Sequence, residues 1–245
     1  MDLQRPLISA LILGIGIAIA GWFVGHGFVQ SRRADRYVTV KGLSERDVVA
    51  DLALWPFQIA ATDNNLAQAQ TEIERSTHEI MRFLARHGID TANAELQGVE
   101  VTDRMANRFG GNATPDQTRF IVQQLVMVRS EDPASVQAAS QRMGELVDAG
   151  VVLLSGSGYG PARPTFLFRG LNALKPAMIA EATSSAREAA AQFAIDSKST
   201  LGGIRQANQG VFVILPRDQA PGIAEENQLN KTVRVVTTVE YYLRD

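Results

Sequence analysis

Cysteine is absent from this 245-residue chain, and histidine is scarce, with only three residues. Without cysteine the chain can form no disulfide, no thiol nucleophile and no thiolate metal site. Lysine and arginine number 24 against 26 aspartates and glutamates, so the net charge of −2 lacks the positive excess typical of nucleic-acid-binding proteins. The composition, 45% hydrophobic and 20% charged, is that of an ordinary globular protein with a sizeable core.

No catalytic motif is complete in the sequence. His78-Glu79 begins like a zinc-protease motif, but the position four residues after His78 is Arg82, so the second histidine ligand is missing. The glycine-rich stretch 155–160 lacks the residues of a phosphate-binding loop and does not form a nucleophile elbow. We therefore predict no catalytic residues, no metal site and no cofactor, and keep an enzyme of unrecognised type only as a remaining class.

The longest apolar stretch lies near the N-terminus. Residues 6–29 carry no formal charge, and about 20 apolar residues suffice for a helix to span a bilayer. We predict a short tail at 1–5, a transmembrane anchor at 6–29 and a polar linker at 30–36. A cleaved signal peptide is the alternative, because Ala18-Ile19-Ala20 fits a small-x-small cleavage site, although the apolar run continues past it.

Small residues recur on one side of this predicted membrane helix. They are Ala10, Gly14, Ala18, Gly21 and Gly25. Small side chains at four-residue spacing let membrane helices approach closely, so this face is a candidate for helix association. The alternative is that glycine and alanine are simply common in membrane helices. If the helices do associate, the anchor assists formation of a homo-oligomer.

Beyond the linker, the periodicity of apolar residues predicts one α+β domain over residues 37–245. Alternation typical of strands occurs at about 37–41, 48–61, 95–105, 118–129, 151–154, 165–169, 211–215 and 232–243. One face of the second strand carries Ala53, Trp55, Phe57 and Ile59, and one face of the last carries Val233, Val235, Thr237, Val239, Tyr241 and Leu243. Helical spacing occurs at about 65–87, 133–149 and 173–193. We expect Asp63 or Asn64 to cap the first of these helices and Gly88 to end it. Strands paired by hairpins predict antiparallel sheets with the helices packed on one face, with two lobes that each hold a helix as one possible arrangement.

The most distinctive predicted helix is the alanine-rich one that follows residue 172. Pro176 places its start at residues 173–175, because proline is tolerated only in the first helical turn. Gly202 and Gly203 are expected to give a tight entry into the strand at 211–215. The predicted buried stripe of the helix is Leu171, Leu174, Met178, Ala182, Ala186, Ala189 and Phe193.

This region of the chain resembles a known protein family. The segments that carry the resemblance are NALKPAMIAEATSSAREAAAQFA, LGGI, NQGVFVI and, earlier, YVTVKGLSERDVVADLALW. They are similar to the core and the opening strand pair of the SIMPL-domain family, which includes bacterial periplasmic, immunogen-like envelope proteins. The resemblance covers residues 37–245 and implies an α+β domain, an envelope location and assembly into rings or larger homo-oligomers. It brings no catalytic residues.

One departure from the family pattern indicates a sub-branch. Where the family often has proline and aspartate before the second strand, this chain has Ala50-Asp51, followed later by Trp55-Pro56. Together with the predicted anchor, this departure favours a membrane-anchored sub-branch.

The charges that flank the predicted anchor conflict with the resemblance about orientation. Arg5 lies on one side, against Arg32, Arg33 and Arg36 on the other, and positive residues favour the cytoplasmic side. The resemblance implies the periplasm instead. We follow the resemblance and predict a single-pass protein of the bacterial inner membrane with its folded domain in the periplasm.

Two functional classes lead for the folded domain. The first is a non-enzymatic homo-oligomeric ring or shell that protects the cell envelope under stress, as the resemblance implies. The second is a binding module whose loops 106–117 and 216–230 are presented to a partner protein or small ligand. The candidate contact residues in these loops are Arg108, Phe109, Asn112, Glu225 and Glu226.

Overall fold

The computed structural model describes residues 13–26, 36–106, 118–154 and 163–244. Over these residues the fold is α+β with antiparallel strand pairs, as predicted. The chain divides into two compact units. The first comprises Met1–Ser44, Pro176–Phe212 and Val235–Asp245, and the second comprises Glu45–Lys175 and Val213–Arg234. Each unit holds helix and strand residues, in agreement with the two-lobe arrangement.

Beyond residue 36, the described chain contains eight strands and four α-helices. The strands are β1 (Tyr37–Val49), β2 (Leu52–Asp63), β3 (Ala94–Asp103), β4 (Phe120–Ser130), β5 (Thr165–Leu167), β6 (Thr200–Gln209), β7 (Val213–Pro216) and β8 (Asn230–Arg244). The helices are α1 (Leu66–Arg86), α2 (Pro133–Ser140), α3 (Gly144–Asp148) and α4 (Leu171–Asp196). Short 3₁₀ helices lie at Thr91–Asn93 and Glu225–Asn227.

A four-stranded antiparallel sheet in the order β3-β4-β2-β5 forms the centre of the second unit. Trp55, Phe57 and Ile59 alternate along β2 and are fully buried on one face, as the sequence predicts. The Trp55 ring centroid lies 4.4 Å from that of Phe57 and 6.2 Å from that of Phe83 on α1. Burying a large apolar side chain contributes roughly 1.5–3 kcal/mol, so this face is the main core of the unit.

The ends of α1 follow from local hydrogen bonding. We expected Asp63 or Asn64 to cap the helix, but the cap is Asn65, whose side chain accepts a hydrogen bond from the Ala67 N–H at 2.9 Å. Asp63 accepts instead from the Asn65 N–H at 2.7 Å. Gly88, with φ of 74°, follows the end of the helix as predicted, because glycine adopts this left-handed conformation without strain.

The helix predicted after Asp132 is present but interrupted. Asp132 caps α2 by accepting from the Ser135 N–H at 3.2 Å, and Pro133 occupies the first turn. A turn at residues 141–143 then separates α2 from α3. The strand predicted at 151–154 is reduced to one isolated bridge between Leu153 and Ile59.

In the first unit, α4 packs on strands of the sheet ordered β1-β8-β6. Val40 of β1 and Val239 and Tyr241 of β8 pack against Ala186 and Ala190 of α4. Val239 and Tyr241 belong to the face of β8 that the sequence predicts to be apolar. The core of this unit is therefore built from small helix side chains on a larger strand surface.

The buried stripe of α4 is made of one methionine and four alanines. These residues, each at most 3% exposed, are Met178, Ala182, Ala186, Ala190 and Ala194. The prediction was correct for Met178, Ala182 and Ala186. It was wrong for Phe193, which is 56% exposed, and Leu171, Leu174 and Ala189 are only half-buried. From Ala182 to Ala194 every fourth residue is alanine, and the close approach of Gly42 of β1 to the helix backbone at Ala182 and Ala186 leaves little room there for a larger side chain.

The start of α4 also differs from the prediction. The helix begins at Leu171, so Pro176 lies inside it, beyond the first turn. The Gly170 carbonyl already accepts a hydrogen bond from the Ala173 N–H at 3.2 Å. The helix therefore forms a turn earlier than predicted and loses one backbone hydrogen bond at the proline.

The stretch after α4 is the largest error of the sequence-based prediction. Residues 200–209, expected as a glycine-rich entry, form β6, and the strand expected at 211–215 corresponds to the short β7. The pairing of β6 with β8 shifts register between Leu201 and Ile204 and again between Ile204 and Gln206. These irregularities break the two-residue alternation by which strands are recognised in a sequence.

The predicted membrane anchor is described only in part. Residues 13–26 are helical, whereas residues 6–12 and 27–29 lie outside the described residues, as does the linker up to residue 35. Within the described ranges, no helix is both long enough and apolar enough to cross a membrane.

Gly42 of β1 should be intolerant of any side chain. An added Cβ would lie 1.8 Å from the Ala182 carbonyl oxygen and 2.6 Å from the Ala186 backbone nitrogen. We expect Gly42→Ala to destabilise the protein by about 3 kcal/mol or more, because the helix backbone would have to move. Thermal unfolding measures the loss.

Gly203→Ala is the matched control in the same unit, because an added Cβ there would meet no atom within 4 Å. We expect it to melt like the parent protein. Equal melting temperatures for both variants would contradict the close packing of α4 on β1.

Candidate functional site

The small-residue face of the N-terminal helix is described from Gly14 onward. Gly14, Ala18, Gly21 and Gly25 fall within an arc of about 60° at roughly 100° per residue, and Ala10 lies outside the described residues. A Cβ added at any of these three glycines would meet no described atom within 4 Å. The face is therefore an open strip of small side chains.

Large apolar side chains occupy the remaining surface of this helix. They are Leu13, Ile15, Ile17, Ile19, Trp22, Phe23 and Val24, and all are exposed, from 52% for Ile19 to 74% for Val24. The Trp22 ring stacks on His26 with centroids 5.3 Å apart. Contiguous exposed apolar surface of this kind marks a site of contact with a membrane or another protein.

The predicted loop residues fall into two groups. Arg108, Phe109 and Asn112 lie outside the described residues. Glu225 and Glu226 lie on the 3₁₀ helix Glu225–Asn227 between β7 and β8. The Glu225 carboxylate pairs with the Lys231 ammonium, and the Glu225 backbone carbonyl accepts from the same Nζ at 2.7 Å. Glu226 is exposed.

Lys231 explains why the neighbouring residues Glu225 and Glu226 have different roles. Its side chain is 0% exposed, and a buried ammonium is costly unless an opposite charge and hydrogen bonds compensate it. Glu225 supplies both, so its carboxylate has a structural role. Glu226 is the member of the pair whose carboxylate remains available at the surface.

The loop between β7 and β8 is closed by its own polar contacts. The Gln228 Nε2 donates to the Asp218 carbonyl at 2.9 Å, and the Gln228 Oε1 accepts from the Asp218 N–H at 3.2 Å. Gly222 has φ of 80°, which permits the turn at the tip. Residues 219–223 are exposed, so the clasp presents an ordered tip to solvent.

The histidines of the folded domain take up ordinary positions. His78 is exposed on α1, and the His87 Nε2 lies 3.3 Å from the Glu145 Oε2. The His87 ring also packs edge-on against Phe83 with centroids 4.6 Å apart. In the part of the chain that the structure describes, no group of three or more histidine, aspartate or glutamate side chains could hold a metal ion.

Two perturbed carboxyl groups belong to surface ion pairs. A side-chain hydrogen bond from Arg75 lowers the pKa of Glu72, and one from Arg119 lowers the pKa of Asp103. The Arg75 guanidinium also donates to the Ala149 carbonyl at 3.0 Å, where α3 ends. The first shift comes from an ion pair within α1, and the second from a pair between β3 and the residue that precedes β4. Both are explained by structural contacts within the second unit.

A cavity that sequence reasoning missed lies at an irregularity of β3. The pairing of β3 with β4 shifts between Gln97 and Val99, where Gly98 has φ of 49°. A cavity of about 260 Å³ opens there. The polar side chains that line it are Gln58, Gln97, Glu100, Gln123 and Gln124. A single glycine inside a strand pattern indicates such a bulge and was the available signal.

Comparison with protein-family profiles tests the family resemblance that the sequence analysis found. A family profile described as SIMPL, protein of unknown function (DUF541), matches residues 38–241. The chain belongs to the SIMPL family. The match begins in β1 and ends in β8, so the predicted resemblance is confirmed across both units. No curated protein matches the chain.

The SIMPL match separates the candidate surfaces by location. The helix at 13–26 lies outside the matched residues, whereas the β7–β8 loop and the β3 cavity lie inside them. The helix is therefore a feature of this chain in addition to its SIMPL domain.

Within the SIMPL domain, Glu225 and Glu226 should respond differently to substitution. We expect Glu225→Ala to destabilise the fold by about 2 kcal/mol or more, because it leaves the Lys231 ammonium buried without a counter-charge. Glu226→Ala should change the free energy of unfolding by less than about 0.5 kcal/mol. Chemical denaturation monitored by tryptophan fluorescence measures both.

The double variant Glu225→Ala, Lys231→Met tests whether the unpaired buried charge of Lys231 causes the loss of stability. Because it removes the buried charge together with its partner, it should recover most of the lost stability. Equal stability of the two single variants would contradict the structural role of Glu225.

Proposed function

We propose that this SIMPL protein is a non-enzymatic, membrane-anchored homo-oligomer. Residues 6–29 form the anchor in the bacterial inner membrane, and the SIMPL domain lies in the periplasm, where the assembly protects the envelope under stress. The observation that supports the proposal is the helix at 13–26, which combines one strip of small residues with large exposed apolar side chains elsewhere.

The apolar surface of this helix favours a lipid environment. Each large side chain gains roughly 1.5–3 kcal/mol on leaving water, and residues 6–29 carry no charge that would oppose insertion. Trp22 stands near the C-terminal end of the stretch, where aromatic residues are enriched at membrane interfaces. Arg32 and Arg33 follow at the boundary.

The small-residue strip favours association between copies of the helix. In a bilayer, helices gain little from burying apolar side chains against one another, so close backbone packing supplies the attraction. Gly14, Ala18, Gly21 and Gly25 provide such a surface, and the larger side chains on the remaining faces contact lipid. The membrane segment then reinforces assembly by the SIMPL domain.

Presentation of a loop to a partner protein is the second candidate function. The β7–β8 loop supports it, because the contacts between Gln228 and Asp218 order a tip that includes the 41% exposed Ile223. An ordered tip loses little conformational entropy on binding. Glu226 remains the candidate charged contact beside this tip.

A substitution on the small-residue strip tests the role of the anchor. We expect Gly14→Leu to lower the molar mass of the full-length protein in detergent, because a large side chain separates the packed helices. Gly16→Leu is the matched control, since Gly16 lies about 200° around the helix from Gly14 and its Cβ would also meet no described atom within 4 Å. Light scattering measures both variants.

A chain that begins at Tyr37 separates the two sources of assembly. If it retains the large mass, the SIMPL domain builds the oligomer and the helix tethers it. If both the full-length chain and the shortened chain are monomers, the homo-oligomer proposal is wrong.

A further inference from the structure

We propose that the free edge of β3 binds an extended peptide segment in which apolar and basic residues alternate. The proposal goes beyond the homo-oligomer and does not depend on it. It rests on three properties of residues Glu95 to Val101: an unpaired strand edge, an exposed apolar row on one face, and on the other face the Glu100 carboxylate at a polar cavity.

The edge of β3 is open to another strand. Among the described residues, β3 is the terminal strand of its sheet and pairs only with β4. A terminal strand presents a row of backbone N–H and C=O groups that can pair with an added strand. Backbone pairing would supply affinity that does not depend on the ligand's sequence.

The apolar row lies on the face of the sheet that α1 covers elsewhere. Leu96 pairs with Val126 and Val101 pairs with Val122, and both β4 valines are buried. The β3 residues in the same row remain open to solvent: Leu96 is 56% exposed, Val99 62% and Val101 48%. An added strand would bring every second side chain onto this row, because side chains alternate with period two.

The opposite face carries Gln97 and Glu100 at the polar cavity, whose lining also includes Val99 of the apolar row. Glu100 pairs with Gln123 in the β3–β4 register and lines the cavity of about 260 Å³ together with Gln58. The Gln58 Nε2 donates to the Gln123 Oε1 at 3.3 Å. Within the described residues, the Glu100 carboxylate forms no hydrogen bond or ion pair. A lysine or arginine on an added strand would reach this carboxylate and the amide oxygens around it.

Charge decides which occupant the edge fits. β3 contains Glu95 and Glu100, together with Asp103, whose carboxylate pairs with Arg119, and it contains no lysine or arginine. Pairing with β3 of a second copy would set two acidic strands side by side, which is unfavourable. A segment with basic residues on one face and apolar residues on the other satisfies both faces of β3 at once.

A labelled peptide that alternates lysine and valine tests the proposal against the full-length protein in a neutral detergent. We expect saturable binding by fluorescence anisotropy, with slower hydrogen exchange at the β3 amides when the peptide is present. A peptide that alternates glutamate and valine should not bind. Glu100→Lys should weaken binding about fivefold or more, as expected for loss and reversal of an exposed ion pair.

Val99→Lys should remove most of the binding, because it places a positive charge in the apolar row. The matched control is Glu188→Lys, another exposed glutamate, on α4 in the first unit. It should bind the peptide like the parent protein, and thermal unfolding establishes that all three variants are folded. Two outcomes overturn the proposal. The first is peptide binding that is unchanged in both β3 variants. The second is that the parent protein binds no peptide and Val99→Lys dissociates an oligomer, which would assign the edge to a second copy of the chain.

Discussion

The first unit depends on contact between the backbone of β1 and the backbone of α4 at Gly42. No side chain fits between this strand and the Ala182 carbonyl, so the helix can lie there only if its facing residues are small. The alanine stripe satisfies this condition from Ala182 to Ala194. Larger residues such as Phe193 are displaced to the outer surface. The alanine content of α4 is thus a consequence of the short distance between the backbones of α4 and β1, because helix propensity alone would permit leucine at the same positions.

The second unit meets the same packing problem with large side chains. Trp55 and Phe57 stand under α1 and fill a wide gap between the helix and the sheet. One helix is about 10 Å across and strands lie about 4.8 Å apart, so α1 covers roughly two strands. These are β2 and β4. The apolar row of β3 is left exposed for this geometric reason, which turns a sheet edge into a candidate docking surface.

The three candidate functional surfaces depend on different structural features. The strip on the N-terminal helix is continuous in sequence, so any helix over 13–26 would display it. The β7–β8 loop needs its clasp between Gln228 and Asp218, and the β3 edge needs the bulge at Gly98. Glu225 shows that the sequence alone does not reveal whether a charged side chain is available for binding. Its carboxylate pairs with Lys231, a lysine six residues away that the fold buries.

The sequence by itself determined the α+β class, the SIMPL family, the buried face of β2, the end of α1 and the small-residue face of the N-terminal helix, because these depend on short-range periodicity or on local motifs. It predicted the buried positions Met178, Ala182 and Ala186 of α4 and missed Ala190 and Ala194. It also missed β6, whose register shifts hide the alternation of a strand. Only the tertiary structure decided that Gly42 meets α4, that Lys231 is buried against Glu225, and that the β3 edge stays open. Each of these depends on which residues distant in sequence come within a few ångströms, and on how far one helix can reach across a sheet, which no local pattern encodes.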